Sequence, residues 1–404
     1  MGFNHQNWTL PRRPESERSR MIISRTPYRI SLFGGGTDFP HWYRRHGGAV
    51  IAAAINKYCY LSVRHFPPYF EHRNRIVWSK IEMCRDISEI EHPAVRAILQ
   101  YLEIESGVEV HHVGDLPARS GIGSSSSFSV GLLNSLFALN GKMITKQELA
   151  YKAIHIEQEV MRENVGSQDQ VTAAFGGLNK IVFHQSGEVS VIPFTIPKRR
   201  ILELEQHLML FYTGISRISS DIQRGFVETM DSNRRNLRVL SDITEEACEI
   251  LNSESDIGEI GVLLSEAWET KKRLNCKVSN PAVEELYNRA ITAGAISGKI
   301  TGAGGGGFLL LFVRPEQQLF VKAALSEFVH VPFSFDFSGS QIVMASQELY
   351  SEDRLDFALR ERHKPLIENV EITSVPTDAE QADIISHEET NLFGRKSGDS
   401  HQRD

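Results

Sequence analysis

Pro117-Ala-Arg-Ser-Gly121-Ile-Gly123-Ser-Ser-Ser-Ser127 sets two glycines and four serines between a strand-like run, Val108 to Val113, and a helix-like run, Phe128 to Leu139. Glycine takes up positive φ and lets the backbone approach a ligand closely. Serines at a helix start sit where unpaired N–H groups and the helix dipole attract an anion. Their hydroxyls add donors, and one can ligate a hard cation such as Mg²⁺. These residue types in this order describe a phosphate cradle made by Pro117, Ser120, Gly121, Gly123, Ser124, Ser125, Ser126 and Ser127. An ordinary polar turn capped by one serine would not need the other three.

The cradle differs from the common nucleotide loops. A Walker A loop ends in Gly-Lys-Ser/Thr, and no lysine follows Gly123. A dinucleotide fingerprint has a third glycine or alanine where Ser126 stands. The His-Arg-Asp and Asp-Phe-Gly motifs of protein kinases are absent.

The elements that must position the cradle mix strands and helices. Strands are expected at Ile22–Leu32, Ala49–Val63, Ile76–Ser79 and Leu208–Tyr212, with a hairpin of Leu178–Phe183 and Val189–Pro193 about Ser186-Gly187. Helices are expected at Pro93–Glu105, Phe128–Leu139 and Lys146–Arg162, and through Ser219–Ala293 with breaks near Asn252–Ile257 and Asn275–Pro281. A strand at Phe308–Val313, a helix at Glu316–Phe328 and a strand pair, Pro332–Phe337 with Gln341–Ala345, complete the pattern. This is α+β order rather than alternating βαβ. The basic Pro197-Lys-Arg-Arg200 suggests a boundary, giving domains of 21–195 and 196–345. Residues 1–20 and the acidic stretch 346–404 read as largely disordered tails, with an exposed helix at Leu349–Arg362.

Composition bounds the function class. The 404 residues are 41% hydrophobic and 24% charged, as in a globular protein. A formal net charge of −7 argues against a general nucleic-acid binder. Cys59, Cys84, Cys248 and Cys276 form no CxxC pair, so neither a disulfide framework nor a zinc site is expected, and the cytoplasm is the expected compartment. No apolar run reaches membrane-spanning length, and no signal peptide is read at the N-terminus. The His111-His112 pair and His155 show no metal-ligand spacing.

Two more glycine clusters stand at element ends. Phe33-Gly34-Gly35-Gly36-Thr37-Asp38 follows the first strand, which opens with Arg25-Thr-Pro-Tyr-Arg29. Ile300-Thr-Gly-Ala-Gly-Gly-Gly-Gly307 precedes the Phe308 strand. With the cradle between them, this order of motifs resembles the GHMP small-molecule kinases, the family of galactokinase, homoserine, mevalonate and phosphomevalonate kinases. The resemblance covers roughly Met21 to Ala345. It implies an N-terminal domain like ribosomal protein S5 domain 2, a ferredoxin-like C-terminal domain, ATP on the middle motif and an acceptor between the domains. Within the family, Gly-Gly-Gly-Thr-Asp38, Gly-Ser-Gln-Asp169-Gln and Gly298-Lys-Ile-Thr-Gly-Ala-Gly most resemble the D-glycero-α-D-manno-heptose 7-phosphate kinases. Galactokinases carry Glu-His in place of Gly35-Gly36.

The resemblance also implies roles. Asp169 matches the catalytic aspartate, acting as base or as a positioning group, and Arg29 matches the cation beside it. Such a cation would stabilise charge on the transferring group. Glu157, with Ser126 or Ser127, matches the Mg²⁺ ligands. Gly35, Gly36, Thr37 and Asp38 would meet the sugar, while Gly304 and Gly305 would buttress the phosphate loop or brush the substrate. Arg217, after the Leu208–Tyr212 strand, is the candidate for a distal phosphate. The expected cofactors are ATP and Mg²⁺. The expected partner is a small sugar or sugar phosphate, with no nucleic acid and no membrane. An unphosphorylated hexose acceptor is the alternative, and an inactive metabolite-binding protein is the alternative from another class.

Overall fold

The computed structural model of the chain describes residues 21–67, 69–104, 107–215 and 219–346, with 219–223 described by backbone only. Both tail expectations and Arg217 lie outside the described residues. In chain order, β1 (Met21–Phe33) passes through the first glycine turn to α1 (Pro40–His46) and the long β2 (Gly48–His65). β3 (Asn74–Val77), β4 (Ile81–Cys84), α2 (Pro93–Tyr101), β5 (Val108–Gly114) and α3 (Ser124–Leu139) follow. Then come α4 (Lys146–His155), α5 (Gln168–Phe175), β6 (Leu178–Phe183), β7 (Val189–Pro193), α6 (Lys198–His207) and β8 (Leu208–Tyr212). The rest is α7 (Ser219–Glu228), α8 (Arg234–Asn252), α9 (Gly258–Leu274), α10 (Pro281–Thr292), β9 (Ala295–Ile300), β10 (Phe308–Val313), α11 (Gln318–Ala324), β11 (Val329–His330) and β12 (Gln341–Ala345).

Among the described residues these strands make two sheets. The first runs β12-β1-β2-β5-β3-β4, with β6 also pairing β2 and β7 pairing β6. β2 is long enough to serve two partners, taking β6 along Gly48–Ala53 and β5 along Cys59–His65. The second sheet is antiparallel, in the order β11-β8-β10-β9. The mixed architecture agrees with the expected α+β class.

β10 shows how the halves are joined. All six residues, Phe308 to Val313, are fully buried. Successive strand residues face opposite sides. Leu309, Leu311 and Val313 pack with Trp268 and Leu286 in one core, whereas Phe308, Leu310 and Phe312 join the larger core that includes Ile30 and Leu132. An unbroken apolar run is what a strand buried on both faces requires.

Two expectations differ from the structure. Gln341–Ala345 pairs with β1 and not with Pro332–Phe337, so the chain returns to the first sheet. Pro332–Phe337 makes only the Ile55–Phe335 bridge beside β2. At the expected boundary, Pro197-Lys-Arg-Arg200 opens α6, where buried Arg200 donates to the Ile250 carbonyl at 3.0 Å. The Lys146–Arg162 helix ends at His155 and continues as a π-helical turn, Ile156–Val160, which carries Glu157. Such turns often mark functional positions. Among the described residues no helix is long and apolar enough to cross a membrane. All four cysteines are free thiols, Cys59 and Cys84 being buried.

Candidate active site

The site gathers around β1. Pro27 interrupts the β1–β2 register, as proline does by removing a ladder donor. The Pro27 carbonyl accepts the Ser127 hydroxyl at 2.9 Å. Two residues on, the Arg29 backbone N–H donates to the Ile122 carbonyl at 3.0 Å, which ties the cradle to the strand. The Arg29 side chain is almost fully buried. Its Nε and one terminal nitrogen donate to the two carboxylate oxygens of Asp169, both at 2.6 Å, and the other terminal nitrogen donates to the Gly121 carbonyl at 2.7 Å. This bidentate fork holds Asp169 in one orientation. Asp169 lies in the first turn of α5, where the helix dipole favours a carboxylate.

The cradle turns over this pair. Gly121 and Gly123 have φ of 81° and 73°, and Gly123 caps α3 from the left-handed region. A Cβ on Gly123 would stand 3.1 Å from the Arg29 Cγ and 3.3 Å from an Asp169 oxygen. Helix α3 begins at Ser124, four residues earlier than the apolar pattern alone suggests, so Ser124, Ser125 and Ser126 occupy its first turn. Their backbone N–H groups have no carbonyl one turn back. Ser120 Oγ donates to the Pro117 carbonyl at 2.5 Å, and Ser124 Oγ accepts from the Arg119 N–H at 3.3 Å. Ser125 is exposed at the helix start.

The structure separates the two serines expected at a metal. Ser126 Oγ donates to Glu157 Oε2 at 2.9 Å, and Gln170 Nε2 donates to the same oxygen at 2.5 Å. Glu157 Oε1 is buried without a hydrogen-bond partner. Burial, with the Glu163 charge nearby, pushes the Glu157 carboxyl up to about 7 against the pull of its hydroxyl and amide donors. Ser127 is spent on the Pro27 carbonyl and does not reach Glu157. The donor set, one hydroxyl and one carboxylate with a free oxygen, fits Mg²⁺, which takes few protein oxygens and completes its shell from phosphates and water.

Asp38 is also sealed. Its Oδ1 accepts from the Gly36 N–H at 2.8 Å and its Oδ2 from the Gln168 N–H at 3.4 Å. Gly166 makes this approach possible, since a Cβ there would fall 1.9 Å from Asp38 Oδ2. Burial raises the Asp38 carboxyl above its ordinary range, and the Asp169 charge adds to that. Gly36 faces Phe226 and Leu237, so the second half of the chain closes this side.

Other expected contacts fall elsewhere. The Thr37 hydroxyl is consumed by the Gly34 and Ala49 carbonyls at 2.8 and 2.9 Å, so it braces the turn and is not turned towards a ligand. Gly304 and Gly305 pack on the Val278 backbone. Gly302 and Gly307 are the glycines that meet the cradle, against Gly121 and Ser120. Sequence reasoning passed over Lys299, a buried lysine on β9. Its Nζ donates to the Leu32 carbonyl at 2.9 Å. Burial, with Lys271 and Arg29 nearby, holds its ammonium well below the usual lysine range. A lone lysine in a strand bounded by apolar neighbours was the available signal. Gln170, the residue after Asp169, was passed over too.

Residues 89–177 match the family model for the GHMP kinases N terminal domain, and residues 243–331 match GHMP kinases C terminal. The chain is 30% identical over 339 residues to D-glycero-alpha-D-manno-heptose 7-phosphate kinase of Campylobacter jejuni, covering 79% of this chain and 98% of that protein. It is 27% identical over 351 residues to L-fucokinase/L-fucose-1-P guanylyltransferase of Bacteroides fragilis, covering 76% of this chain but 36% of that protein. Among solved structures it resembles a D-glycero-D-manno-heptose 1-phosphate kinase from Bacteriodes thetaiotaomicron, with a TM-score of 0.66, 25% identity, and coverage of 82% of this chain and 100% of that one. Both halves of the family, in order and on one chain, place this protein among the GHMP kinases.

Proposed function

We propose that this protein is an ATP-dependent sugar kinase acting on the anomeric hydroxyl of a sugar phosphate, D-glycero-α-D-manno-heptose 7-phosphate, to give the 1,7-bisphosphate. The observation that carries the reading is the Arg29–Asp169 fork, held directly beneath Gly123 at the head of α3. In this reading Asp169 orients the acceptor hydroxyl and takes its proton as the oxygen bonds to the γ-phosphorus and the bond from that phosphorus to the departing ADP breaks. Arg29 fixes that carboxylate and lends positive charge to the transferring group. The α3 N–H groups, with Gly121 and Gly123, hold the phosphates. ATP and Mg²⁺, when bound, supply the phosphoryl group and draw charge from its oxygens. Ser126 and Glu157 would hold the metal, and Asp38 would accept hydroxyls of the sugar.

The metal assignment is testable by itself. Ser126→Ala and Glu157→Gln should each raise the Mg²⁺ concentration for half-maximal rate at least about tenfold, since outer partners of metal ligands alone are worth roughly 10–100-fold. Acceptor KM at saturating Mg²⁺ should stay near that of the unaltered protein. A shifted acceptor KM with unchanged Mg²⁺ dependence would place these residues elsewhere.

The acceptor assignment draws on the heptose-phosphate kinases named above and on the missing side chain at Gly35. A distal phosphate needs cations. Arg234 and Arg238 lie exposed on the turn of α8 that lays Leu237 against Gly36. Initial rates with heptose 7-phosphate, L-fucose and D-galactose test the reading, with the product's phosphate position read by ³¹P NMR. Heptose 7-phosphate should react best. Arg234→Ala with Arg238→Ala should raise its KM about tenfold or more without altering the KM of a free sugar. Faster reaction of a free sugar moves the acceptor to the hexoses, the reading the fucokinase likeness favours.

A further inference from the structure

Two polar side-chain atoms beside Asp38 are buried without a hydrogen-bond partner, the Ser31 Oγ and the Gln168 Oε1. Ser31 is 4% exposed and Gln168 9%. Burying an unpaired polar atom is destabilising, so each one in a folded protein has a reason. These two are neighbours. Ser31 stands two residues after Arg29 on β1 and shares its face of the strand. Gln168 precedes Asp169, and its backbone N–H donates to Asp38. The side chains converge on Gly35, where a Cβ would lie 3.4 Å from Ser31 Oγ and 3.7 Å from Gln168 Nε2.

Gly35 itself is informative. Gly34 and Gly36 have φ of 79° and 111°, which favours glycine at both. Gly35 has no such φ, and a Cβ there would meet only ordinary van der Waals contacts. The backbone does not demand glycine at this position. The missing side chain leaves a gap of about its own size beside Ser31 Oγ and Gln168 Nε2.

The charges around that space select its occupant. Asp38 and Asp169 flank it, and Arg29 is already committed to Asp169. Among the described residues, a phosphate or carboxylate there would meet two carboxylates and an arginine already paired, whereas a neutral hydroxyl would meet no such repulsion. A serine hydroxyl both donates and accepts, and the glutamine amide offers an acceptor and two donors. Adjacent hydroxyls on a sugar ring, each donor and acceptor, match this set.

We propose that Ser31 and Gln168 form a hydroxyl-reading subsite for the acceptor ring, opened by the absence of a side chain at Gly35. The subsite selects for a neutral diol next to the attacking hydroxyl. The proposal rests on the sugar-kinase reading above, and its test separates the two. The full chain and its Ser31→Ala, Gln168→Met and Gly35→Ala variants are assayed with heptose 7-phosphate, L-fucose and D-galactose. For the acceptor that reacts best, KM, kcat, the KM for ATP and the thermal midpoint are measured. Ser31→Ala and Gln168→Met should each raise the acceptor KM about tenfold, the worth of one neutral hydrogen bond at the upper end of its range, and Gly35→Ala should raise it by filling the gap beside them. The KM for ATP should not change. The midpoints of Ser31→Ala and Gln168→Met should not fall, because Ser31 Oγ and Gln168 Oε1 have no partner in the free protein. An acceptor KM within twofold of the unaltered protein in both of these variants overturns the subsite, leaving the kinase reading standing. A lowered midpoint with unaltered KM overturns it too, by showing a structural role. If the unaltered chain reacts with none of the three sugars, the sugar-kinase reading falls and the subsite with it.

Discussion

Asp169→Asn should lower turnover roughly 10²–10⁴-fold, the usual worth of a general base, while ATP still binds. The geometry explains why this conservative change is severe. Arg29 addresses both oxygens of Asp169 at 2.6 Å. Asparagine keeps the shape, but one of its two positions becomes an N–H facing a guanidinium N–H. The side chain must then rotate away or leave a buried donor unpaired, which costs about 1–3 kcal/mol. Either way the acceptor hydroxyl loses its oriented acceptor. The cradle stands on other groups, the α3 N–H groups and the two glycines, so nucleotide affinity should survive. Steady-state kcat beside calorimetric ATP binding checks both halves. Near-normal turnover with unchanged acceptor affinity would remove Asp169 from the reaction.

Gly307→Ala should lower kcat/KM for ATP about 100-fold or more, although residue 307 belongs to the other half of the chain. A Cβ there would stand 2.2 Å from the Ser120 carbonyl oxygen and 2.6 Å from its carbon. Both are backbone atoms and cannot swing aside, so the cradle itself must move. Gly121 follows directly, and its carbonyl is the third anchor of Arg29. A misplacement of about 1 Å at a reacting group is worth about 10²-fold. Gly187→Ala is the matched control. Its φ of 89° is close to the 95° of Gly307, but nothing lies within 4 Å of its Cβ. It should share the left-handed backbone strain, about 1–2 kcal/mol, and keep normal kinetics. Equal kinetics in the two variants would show that Gly307 does not shape the cradle.

Lys299 adds a second link between the same regions. Its Nζ holds the carbonyl of Leu32, where the β1–β2 register shifts and the first glycine turn begins. Four residues C-terminal to the end of β9 the chain reaches Gly304, and at Gly307 it touches the cradle. The third glycine cluster is therefore fastened to the first by a buried lysine and to the middle one by glycine backbone. That is why three separate motifs act as one site.

Local signals were enough for much of this protein. The strand and helix periods of β1, β2, β5 and β6, the breaks near 252–257 and 275–281, and the left-handed glycines at 121 and 123 are written in residues a few positions apart. The chemistry-bearing residue types are equally local: a carboxylate in a helix's first turn, serines at a helix start, an arginine on a strand. Partner choice is not local. Thr37 and Ser127 carry the same hydroxyl as Ser31 and Ser126, yet the first two are spent on backbone carbonyls and the last faces Glu157. A hydroxyl's role depends on what lies 3 Å away, and for Ser126 and Ser127 that is decided by residues 31 and 100 positions distant. The same holds for β12, whose short apolar run specifies a strand but not which edge it pairs with, and it joins β1 across more than 300 residues. It holds for Glu157 as well, which stands on a π-helical turn with one oxygen bonded by Ser126 of α3 and Gln170 of α5 and the other buried without a partner. The sequence by itself determined the elements and the inventory of reactive groups. Only tertiary packing decided which groups keep an unsatisfied hydrogen-bonding atom, because burial and partner geometry are properties of the folded neighbourhood.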